Sequence, residues 1–166
     1  MLRTLQGQCQ CGSVQYKVTD TVATLFACHC IECQHKSGSA FGMAMGVHDP
    51  QVETHGVLAE WIRTTPPGKQ MACRFCPVCG TRIFHQMLGQ STYISIKPGT
   101  LDDIGSSRPA GHIWTRSKQA WVVLETDAAQ YPENPPGFDA LFAAWAEIHG
   151  ANNHDTGHVA ATSAWN

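Results

Sequence analysis

Three cysteines stand within six residues, at Cys28, Cys30 and Cys33. Their C-x-C and C-x-x-C spacing places three sulfur atoms on one tight turn, where they can share a single metal ion. Structural zinc sites are normally closed by four protein ligands, whereas catalytic zinc sites keep three and leave the fourth position to water or substrate. The triplet therefore predicts a metal site with an open position at which chemistry can occur.

A closed structural site is the alternative interpretation of this triplet. His29, His35 and Cys73 are the residues that would close it, because the histidines are near in sequence and Cys73 completes no other set. The open site is favoured, since a single nearby histidine is more often a surface or core residue than a ligand. His29 also lies between two of the ligands, where we expect its side chain to turn away.

Four further cysteines form two pairs, Cys9 with Cys11 and Cys76 with Cys79. Each pair supplies half of a tetrahedral ligand set, so together they predict a closed zinc site that pins the N-terminal hairpin to a later one. All eight cysteines fall into such close groups, counting Cys73 with Cys76, and no secretory signal is evident. Zinc binding is therefore favoured over a disulfide framework.

A zinc ion held by three thiolates suits a thiol substrate. A free thiol with a pKa of about 8.5 is only slightly ionised at pH 7, and bound zinc deprotonates it. The same ion can polarise a carbonyl or hydroxyl on the carbon that bonds to the sulfur. Because three anionic ligands leave the site with net negative charge, they favour binding of sulfur over activation of water for hydrolysis.

Composition predicts one globular domain with an appended tail, since 43% of the 166 residues are hydrophobic and 14% are charged. The net charge is −2 and the 11 lysines and arginines are scattered, which argues against nucleic acid or a membrane surface as partner. Residues 1–7 lack the apolar core of a signal peptide, and no stretch approaches ~20 apolar residues. We expect a cytoplasmic protein.

Strands dominate the predicted secondary structure. Val14, Tyr16 and Val18 alternate with polar residues, which is typical of a half-buried strand. Apolar or alternating runs predict further strands over 22–27, 41–47, 57–64, 70–75, 82–88 and 92–97, with strand pieces inside 112–124. The predicted fold is mainly β.

Residues 139–149 give the one convincing helix signal. Apolar residues recur there at three- and four-residue intervals, at Leu141, Phe142, Trp145 and Ile148. Asp139 is predicted to cap the helix N-terminus. We therefore expect a zinc-binding β domain over 1–135, and a C-terminal helix with a flexible tail over 136–166.

With these motifs in place, the sequence resembles the family of glutathione-dependent formaldehyde-activating enzymes. Its matching motifs are G-x-C-x-C-G at 7–12, C-H-C-x-x-C-Q-x-x-S-G-S-x-F at 28–41 and F-C-P-x-C-G-T at 75–81. Weaker matches follow at 98–102 and 112–114, so that the resemblance covers roughly residues 4–135.

The resemblance implies an Mss4-like fold of small coiled antiparallel sheets with two zinc ions per chain. Cys9, Cys11, Cys76 and Cys79 would hold the structural zinc, and Cys28, Cys30 and Cys33 the catalytic one. The implied activity is that of a carbon-sulfur lyase, in which formaldehyde adds to glutathione to give S-hydroxymethylglutathione. The implied partners are a small thiol such as glutathione and an aldehyde.

Ser37, Gly38 and Ser39 follow the triplet directly. We expect their backbone amides and hydroxyls to orient the oxygen of a thiol-aldehyde adduct, because positioned donors stabilise charge that develops on oxygen. Turn capping is the alternative role for the two serines. Four further candidates for the pocket wall are Trp114, Arg116, Lys118 and Trp121, with the basic residues on a substrate carboxylate and core packing as the alternative for the tryptophans.

Two other functions stay open. In a non-catalytic binding module, as in the related centromere protein V, both zinc sites would be structural. A methionine sulfoxide reductase-like enzyme, which shares the Mss4-like architecture, needs a nucleophilic cysteine free of metal, and Cys73 is the only candidate. Cys73 lies in a predicted strand and is expected to be buried, which opposes that role.

Overall fold

The computed structural model describes residues 3–48, 51–65, 68–89, 93–105 and 108–150. Within these ranges the chain is mainly β, as predicted, with ten strands and two α-helices. The strands are β1 (Arg3–Gln8), β2 (Gln15–Cys28), β3 (Gly42–His48), β4 (Gln51–His55), β5 (Ala59–Thr64), β6 (Gln70–Phe75), β7 (Arg82–Met87), β8 (Tyr93–Ile96), β9 (Gly111–Ile113) and β10 (Ala129–Gln130). The helices are α1 (Ile31–Ser37) and α2 (Asp139–Gly150), and short 3-10 turns cover Pro98–Thr100 and Thr115–Ser117.

Strand β2 is shared by two groups of strands. Its first half pairs with β1 and β4, and its second half pairs with β3 and β9. The main path of hydrogen-bonded strands runs in the order β10, β9, β2, β3, β8, β7, β6, β5. Strand β9 is parallel to both neighbours, and the other pairs are antiparallel. Both cysteine clusters therefore depend on β2, because this strand begins shortly after Cys9 and Cys11 and ends at Cys28.

The main hydrophobic core draws side chains from both groups of strands. Its fully buried members include Val14, Val18, Leu25, Val47, Ile83, Phe84 and Ile96. Cys9 and Cys76 belong to the same buried cluster. One ligand from each outer cysteine pair is thus fixed by core packing as well as by its own turn.

The C-terminal helix packs against β2. Leu141 and Trp145 are buried, as the predicted apolar face requires, and the Thr24 hydroxyl donates to the Leu141 carbonyl at 2.8 Å. The helix begins at Asp139, which therefore lies in the first turn instead of at the N-cap. The domain boundary at 135 stays a prediction, and the predicted tail beyond 150 lies outside the described residues.

Several elements differ from those that the sequence predicted. Residues 15–28 form one strand and not two, because β1 and β4 pair with the polar stretch before residue 22. Strands β1 and β4 were not predicted, and all five residues of β4 are exposed, so no apolar alternation marks it. Residues 112–124 contribute only part of the short strand β9.

None of the helices in the described ranges combines the length and hydropathy that a membrane crossing requires.

Candidate metal centres and active-site cavity

The outer cysteine pairs meet in one cluster. Cys9 and Cys11 lie between β1 and β2, Cys76 and Cys79 lie between β6 and β7, and all four sulfur atoms are within 4.8 Å of one another. The Cys9 and Cys11 sulfurs are 3.5 Å apart, and those of Cys11 and Cys76 are 3.8 Å apart. Tetrahedral zinc with Zn–S bonds of about 2.3 Å places its sulfurs about 3.8 Å apart. The cluster therefore has the donors and the spacing to hold zinc.

Both knuckles of this cluster use the same backbone turn. Gly12 and Gly80 each have a φ of 74°, a left-handed conformation that favours glycine. The Gly12 N–H donates to the Cys9 carbonyl at 3.0 Å, and the Gly80 N–H donates to the Cys76 carbonyl at 2.9 Å. These turns bring the second cysteine of each pair back over the first.

Hydrogen bonds to sulfur favour the thiolate forms that a metal requires. The Val14 N–H donates to the Cys9 sulfur at 3.2 Å. A hydrogen bond between Cys79 and the Thr81 hydroxyl, at 3.1 Å, is the leading cause that lowers the pKa of Cys79 to about 5. Because metal ligation needs deprotonated cysteine, these donors prepare the cluster for metal binding.

The triplet lies where β2 ends and α1 begins. Cys28 is the last residue of β2, Cys30 is the N-cap of α1, and Cys33 lies in the first helical turn. The three sulfurs are within 4.8 Å of one another, and the Cys33 N–H donates to the Cys30 sulfur at 3.4 Å. Hydrogen bonds from Cys28 and Cys33 hold the pKa of Cys30 well below its usual range. A capped helix, and not a flexible loop, positions the third ligand.

No fourth cysteine, histidine or carboxylate of the described residues joins the triplet. The ring of His29 is fully buried, and its Nε2 lies 3.0 Å from Nδ1 of His112. His35 is exposed on α1, and Cys73 is buried on β6 outside the cluster. None of the three residues considered as closing ligands takes that place, so the described residues offer three sulfurs and no fourth protein ligand at the triplet.

His29 anchors the loop between the first two triplet cysteines. Its carbonyl accepts from Gln34 Nε2 at 2.8 Å and from the Ser117 hydroxyl at 3.0 Å. Its ring contacts His112, whose Nε2 lies 2.7 Å from Glu125 Oε2. Burial lowers the pKa of His29 to about 4, so that the ring is neutral at pH 7. This hydrogen-bond network could not be predicted from the sequence, because its residues come from three separate segments.

The loop after the triplet closes helix α1. Gly38 has a φ of 61°, and its N–H donates to the Gln34 carbonyl at 2.9 Å, as does the Ser39 N–H at 3.4 Å. The Ser37 hydroxyl donates to the Cys33 carbonyl at 2.8 Å. These contacts match the capping role that was the alternative for the two serines, while orientation of an adduct oxygen stays a prediction.

A cavity of about 300 Å³ opens beside the triplet. Cys33 is the triplet residue in its wall, and Gly80 directly follows Cys79 of the four-cysteine cluster, so the cavity lies beside both clusters. The remaining lining residues are Lys36, Ser37, Gly42, Met43, Arg82 and Lys97. The cavity is therefore the candidate space for a small molecule beside the triplet.

The pocket wall predicted from the sequence lies elsewhere. Trp114, Arg116, Lys118 and Trp121 do not line this cavity. Trp121 is 72% exposed, so core packing is wrong for it as well. Trp114 is half-buried with a φ of 59°, and it begins the turn whose Ser117 contacts His29. The four residues lie outside the wall of this cavity, and the turn that begins at Trp114 contacts the loop between Cys28 and Cys30 through Ser117 and His29.

Three cations that the sequence analysis did not single out face the cavity instead. Lys36 Nζ lies 3.0 Å from His85 Nδ1, and Lys97 Nζ donates to the Met43 carbonyl at 3.2 Å. Arg82 Nη1 is buried with no hydrogen-bond partner among the described residues. Burial, with repulsion from Lys36, lowers the pKa of Lys97 to about 8, and burial also lowers those of Lys36 and Arg82. The cavity is electropositive.

Cys73 is placed poorly for redox chemistry on a substrate. It is 2% exposed on β6, and its sulfur lies 3.9 Å from the Met71 carbonyl. Cys73 lies close enough to Lys36 and Arg82 to interact with their charges, but a nucleophilic thiol has to be reached by its substrate, and burial prevents this. The structure gives no support to the reductase-like alternative.

Comparison with known proteins places these features in one matched region. The family model named glutathione-dependent formaldehyde-activating enzyme matches residues 4–117, which include both cysteine clusters and every residue that lines the cavity. No curated protein gives a significant match. Among solved structures, a crystal structure of a Rhodobacter sphaeroides protein is similar at 21% identity, covering 61% of this chain and 91% of that chain, with a TM-score of 0.45.

Proposed function

Because the chain belongs to the family of glutathione-dependent formaldehyde-activating enzymes, we propose that it is a zinc-dependent carbon-sulfur lyase acting on a thiol-aldehyde adduct. In the reaction that the family name implies, the sulfur of glutathione bonds to the carbon of formaldehyde and the thiol proton passes to the oxygen. The product is S-hydroxymethylglutathione, and the reverse reaction breaks the same bond. The triplet of sulfurs beside an open cavity is the observation that carries the proposal.

Two zinc ions per chain fit the two sets of sulfur donors. Cys28, Cys30 and Cys33 would hold the catalytic ion, and the structural ion would take Cys9, Cys11, Cys76 and Cys79. Zinc at the triplet would supply a Lewis acid that favours the thiolate form of a bound thiol and polarises the carbonyl of the aldehyde. None of the eight cysteines forms a disulfide bond, which suits a reducing compartment, and we place the protein in the cytoplasm.

The residues around the cavity prepare a thiol for reaction. Cys33 lies in the wall, so a substrate sulfur approaches the triplet from the cavity side. Lys36, Arg82 and Lys97 bring positive charge to the same space, and nearby positive charge lowers the pKa of a thiol. The cavity therefore attracts the thiolate before any bond forms.

Ser37 is the member of the predicted substrate loop that lines the cavity. Gly38 and Ser39 direct their N–H groups to the Gln34 carbonyl, so their part is to close the helix. The Ser37 hydroxyl also contacts the Cys33 carbonyl, one turn from the triplet sulfur. We assign orientation of the adduct oxygen to Ser37, whose O–H would turn from the Cys33 carbonyl to the adduct, and give Gly38 and Ser39 a supporting role.

Exchange of ¹³C-formaldehyde with S-hydroxymethylglutathione, followed by NMR exchange spectroscopy, tests this function. Zinc-loaded protein should accelerate exchange at least about tenfold over the spontaneous reaction, and Cys33→Ser should return it to the spontaneous rate. Cys73→Ala is the matched control, since Cys73 belongs to neither cluster, and it should keep the acceleration.

Undiminished exchange in Cys33→Ser would contradict the role of the triplet. Failure of the folded, zinc-loaded wild-type protein to accelerate exchange would favour a binding module with two structural zinc sites.

A further inference from the structure

The cations of the cavity come from separate elements that meet beside the triplet. Lys36 lies one helical turn after Cys33 on α1, on the same side of the helix. The Lys97 N–H donates at 2.8 Å to the carbonyl of Ile83, the residue after Arg82, and the side chains of Lys97 and Arg82 both line the cavity. Folding thus gathers three positive charges on one small space.

Lys97 is held close to the triplet. Its ammonium group donates to the carbonyl of Met43, and the preceding residue, Gly42, packs against Cys33. A methyl group added at Gly42 would lie 3.3 Å from the Cys33 Cβ, which shows how tightly β3 passes this cysteine. The ammonium therefore lies near the sulfur ligands and not at a distant rim.

No ion pair joins these three cations to a carboxylate in the part of the chain that the structure describes. Four other arginines, Arg63, Arg74, Arg108 and Arg116, form ion pairs with carboxylates. Among the described residues, Lys36 and Lys97 contact only neutral acceptors, and Arg82 Nη1 is buried without an acceptor. A buried donor left unpaired is costly, so the arrangement fits a site that an anionic ligand completes.

The thiolates account for only part of this positive charge. Three thiolates around a divalent ion carry one net negative charge, and a bound substrate thiolate adds a second. Three cations then leave one positive charge unmatched, which a single carboxylate neutralises. The planar guanidinium of Arg82 also suits the two oxygens of a carboxylate.

The small volume of the cavity limits where such a carboxylate lies. About 300 Å³ is the lower end of the range for ligand pockets, and the same space includes Cys33. We propose that Lys36, Arg82 and Lys97 form a carboxylate site that selects thiols bearing a carboxylate a few bonds from their sulfur. This inference rests on the proposed function and names its preferred substrate class, the small mercapto acids.

Binding of 3-mercaptopropionate and of its neutral counterpart 3-mercaptopropanol to zinc-loaded protein, measured by calorimetry, tests the site. The acid should bind at least about tenfold more tightly than the alcohol, since hydrogen bonds to charged groups are the strong ones. Arg82→Met and Lys97→Met keep the apolar stem of the side chain and should each lower this preference at least about threefold. The affinity for mercaptopropanol should fall less than that for the acid, since the cations act only on its thiolate.

Arg108→Met is the matched control, because Arg108 pairs with Asp127 and does not line the cavity. It should leave the preference intact. Equal binding of acid and alcohol by the wild type, or a full preference in the Arg82→Met Lys97→Met double variant, would overturn the carboxylate site while leaving thiol binding in place.

Propionate, which has no thiol, separates this inference from the proposed function. If neither thiol binds, the proposed function fails. Propionate binding that the double variant loses, observed by ligand NMR, would still support the carboxylate site. No propionate binding together with no thiol binding would overturn the inference as well.

Discussion

Position in the fold separates the roles of the eight cysteines. Seven belong to the two clusters, and the eighth, Cys73, is buried in a strand. Sequence spacing predicted both clusters, because C-x-C and C-x-x-C spacing fixes sulfur proximity within a few residues of chain. The sequence did not predict that Lys36, Arg82 and Lys97 lie together. Each is an isolated basic residue in the sequence, and only folding brings the three to one cavity.

Cys30→Ser should lower the zinc content from two ions per chain to about one. Serine is a preferred N-cap residue, so the substitution removes a thiolate ligand while α1 keeps its cap. Metal analysis and thermal unfolding measure the result, with Cys73→Ala as the control that keeps both ions. Loss of both metals together with loss of folding would contradict separate roles for the two clusters.

Helix α1 is the element that the sequence analysis described as a turn. It spans seven residues and has no buried ones, so it carries no apolar period to detect. Its ends are defined by Cys30 and by Gly38, whose φ is 61°. The strands with an apolar face were predictable, whereas β4 became visible only through its pairing with β2.

Gly38→Ala should reduce the free energy of unfolding by about 1 kcal/mol, because a Cβ disfavours the left-handed conformation. An added Cβ would meet no atom within 4 Å, so the loss reports backbone strain at the end of α1 and not a clash. Gly99→Ala is the control: its surroundings are equally open and its φ is not positive. Urea unfolding of both variants is the measurement, and equal stability of Gly38→Ala and wild type would refute this account of the cap.

At the scale of the whole molecule, the charged residues around the cavity make the free energy of unfolding depend on pH. His85 is buried beside Lys36, and burial, with the charges of Lys97 and Lys36, lowers its pKa. A histidine with a lowered folded pKa binds fewer protons when folded than when unfolded. The free energy of unfolding therefore falls as pH drops below the unfolded value of about 6.5.

His85→Asn should weaken this dependence on pH. The asparagine oxygen can still accept from Lys36, but it does not titrate. Between pH 7.5 and pH 5.5 the wild type should lose about 1.4 kcal/mol more than the variant, measured by urea unfolding with zinc present in both. Parallel losses in the two proteins would show that His85 does not carry this dependence.

The mainly β fold of the described residues and the family were predictable from the sequence, because the cysteine motifs and strand patterns are local in sequence. Three features could not be predicted from the sequence, because each depends on contacts between distant segments. They are the sharing of β2 by two groups of strands, the packing of α2 on β2 and the cavity beside the clusters. The local motifs therefore indicated metal binding, whereas the shape and charge of the cavity became known only from the structure.

The central claim is that the triplet holds a metal ion with a position open to a thiol. Optical titration of cobalt-substituted protein with glutathione, and then with 3-mercaptopropionate, tests this claim most directly. The account predicts two cobalt ions per chain and a saturable rise in thiolate-to-cobalt absorption equivalent to one added thiolate, absent in Cys30→Ser. A spectrum of the two-cobalt protein that no thiol changes would contradict it.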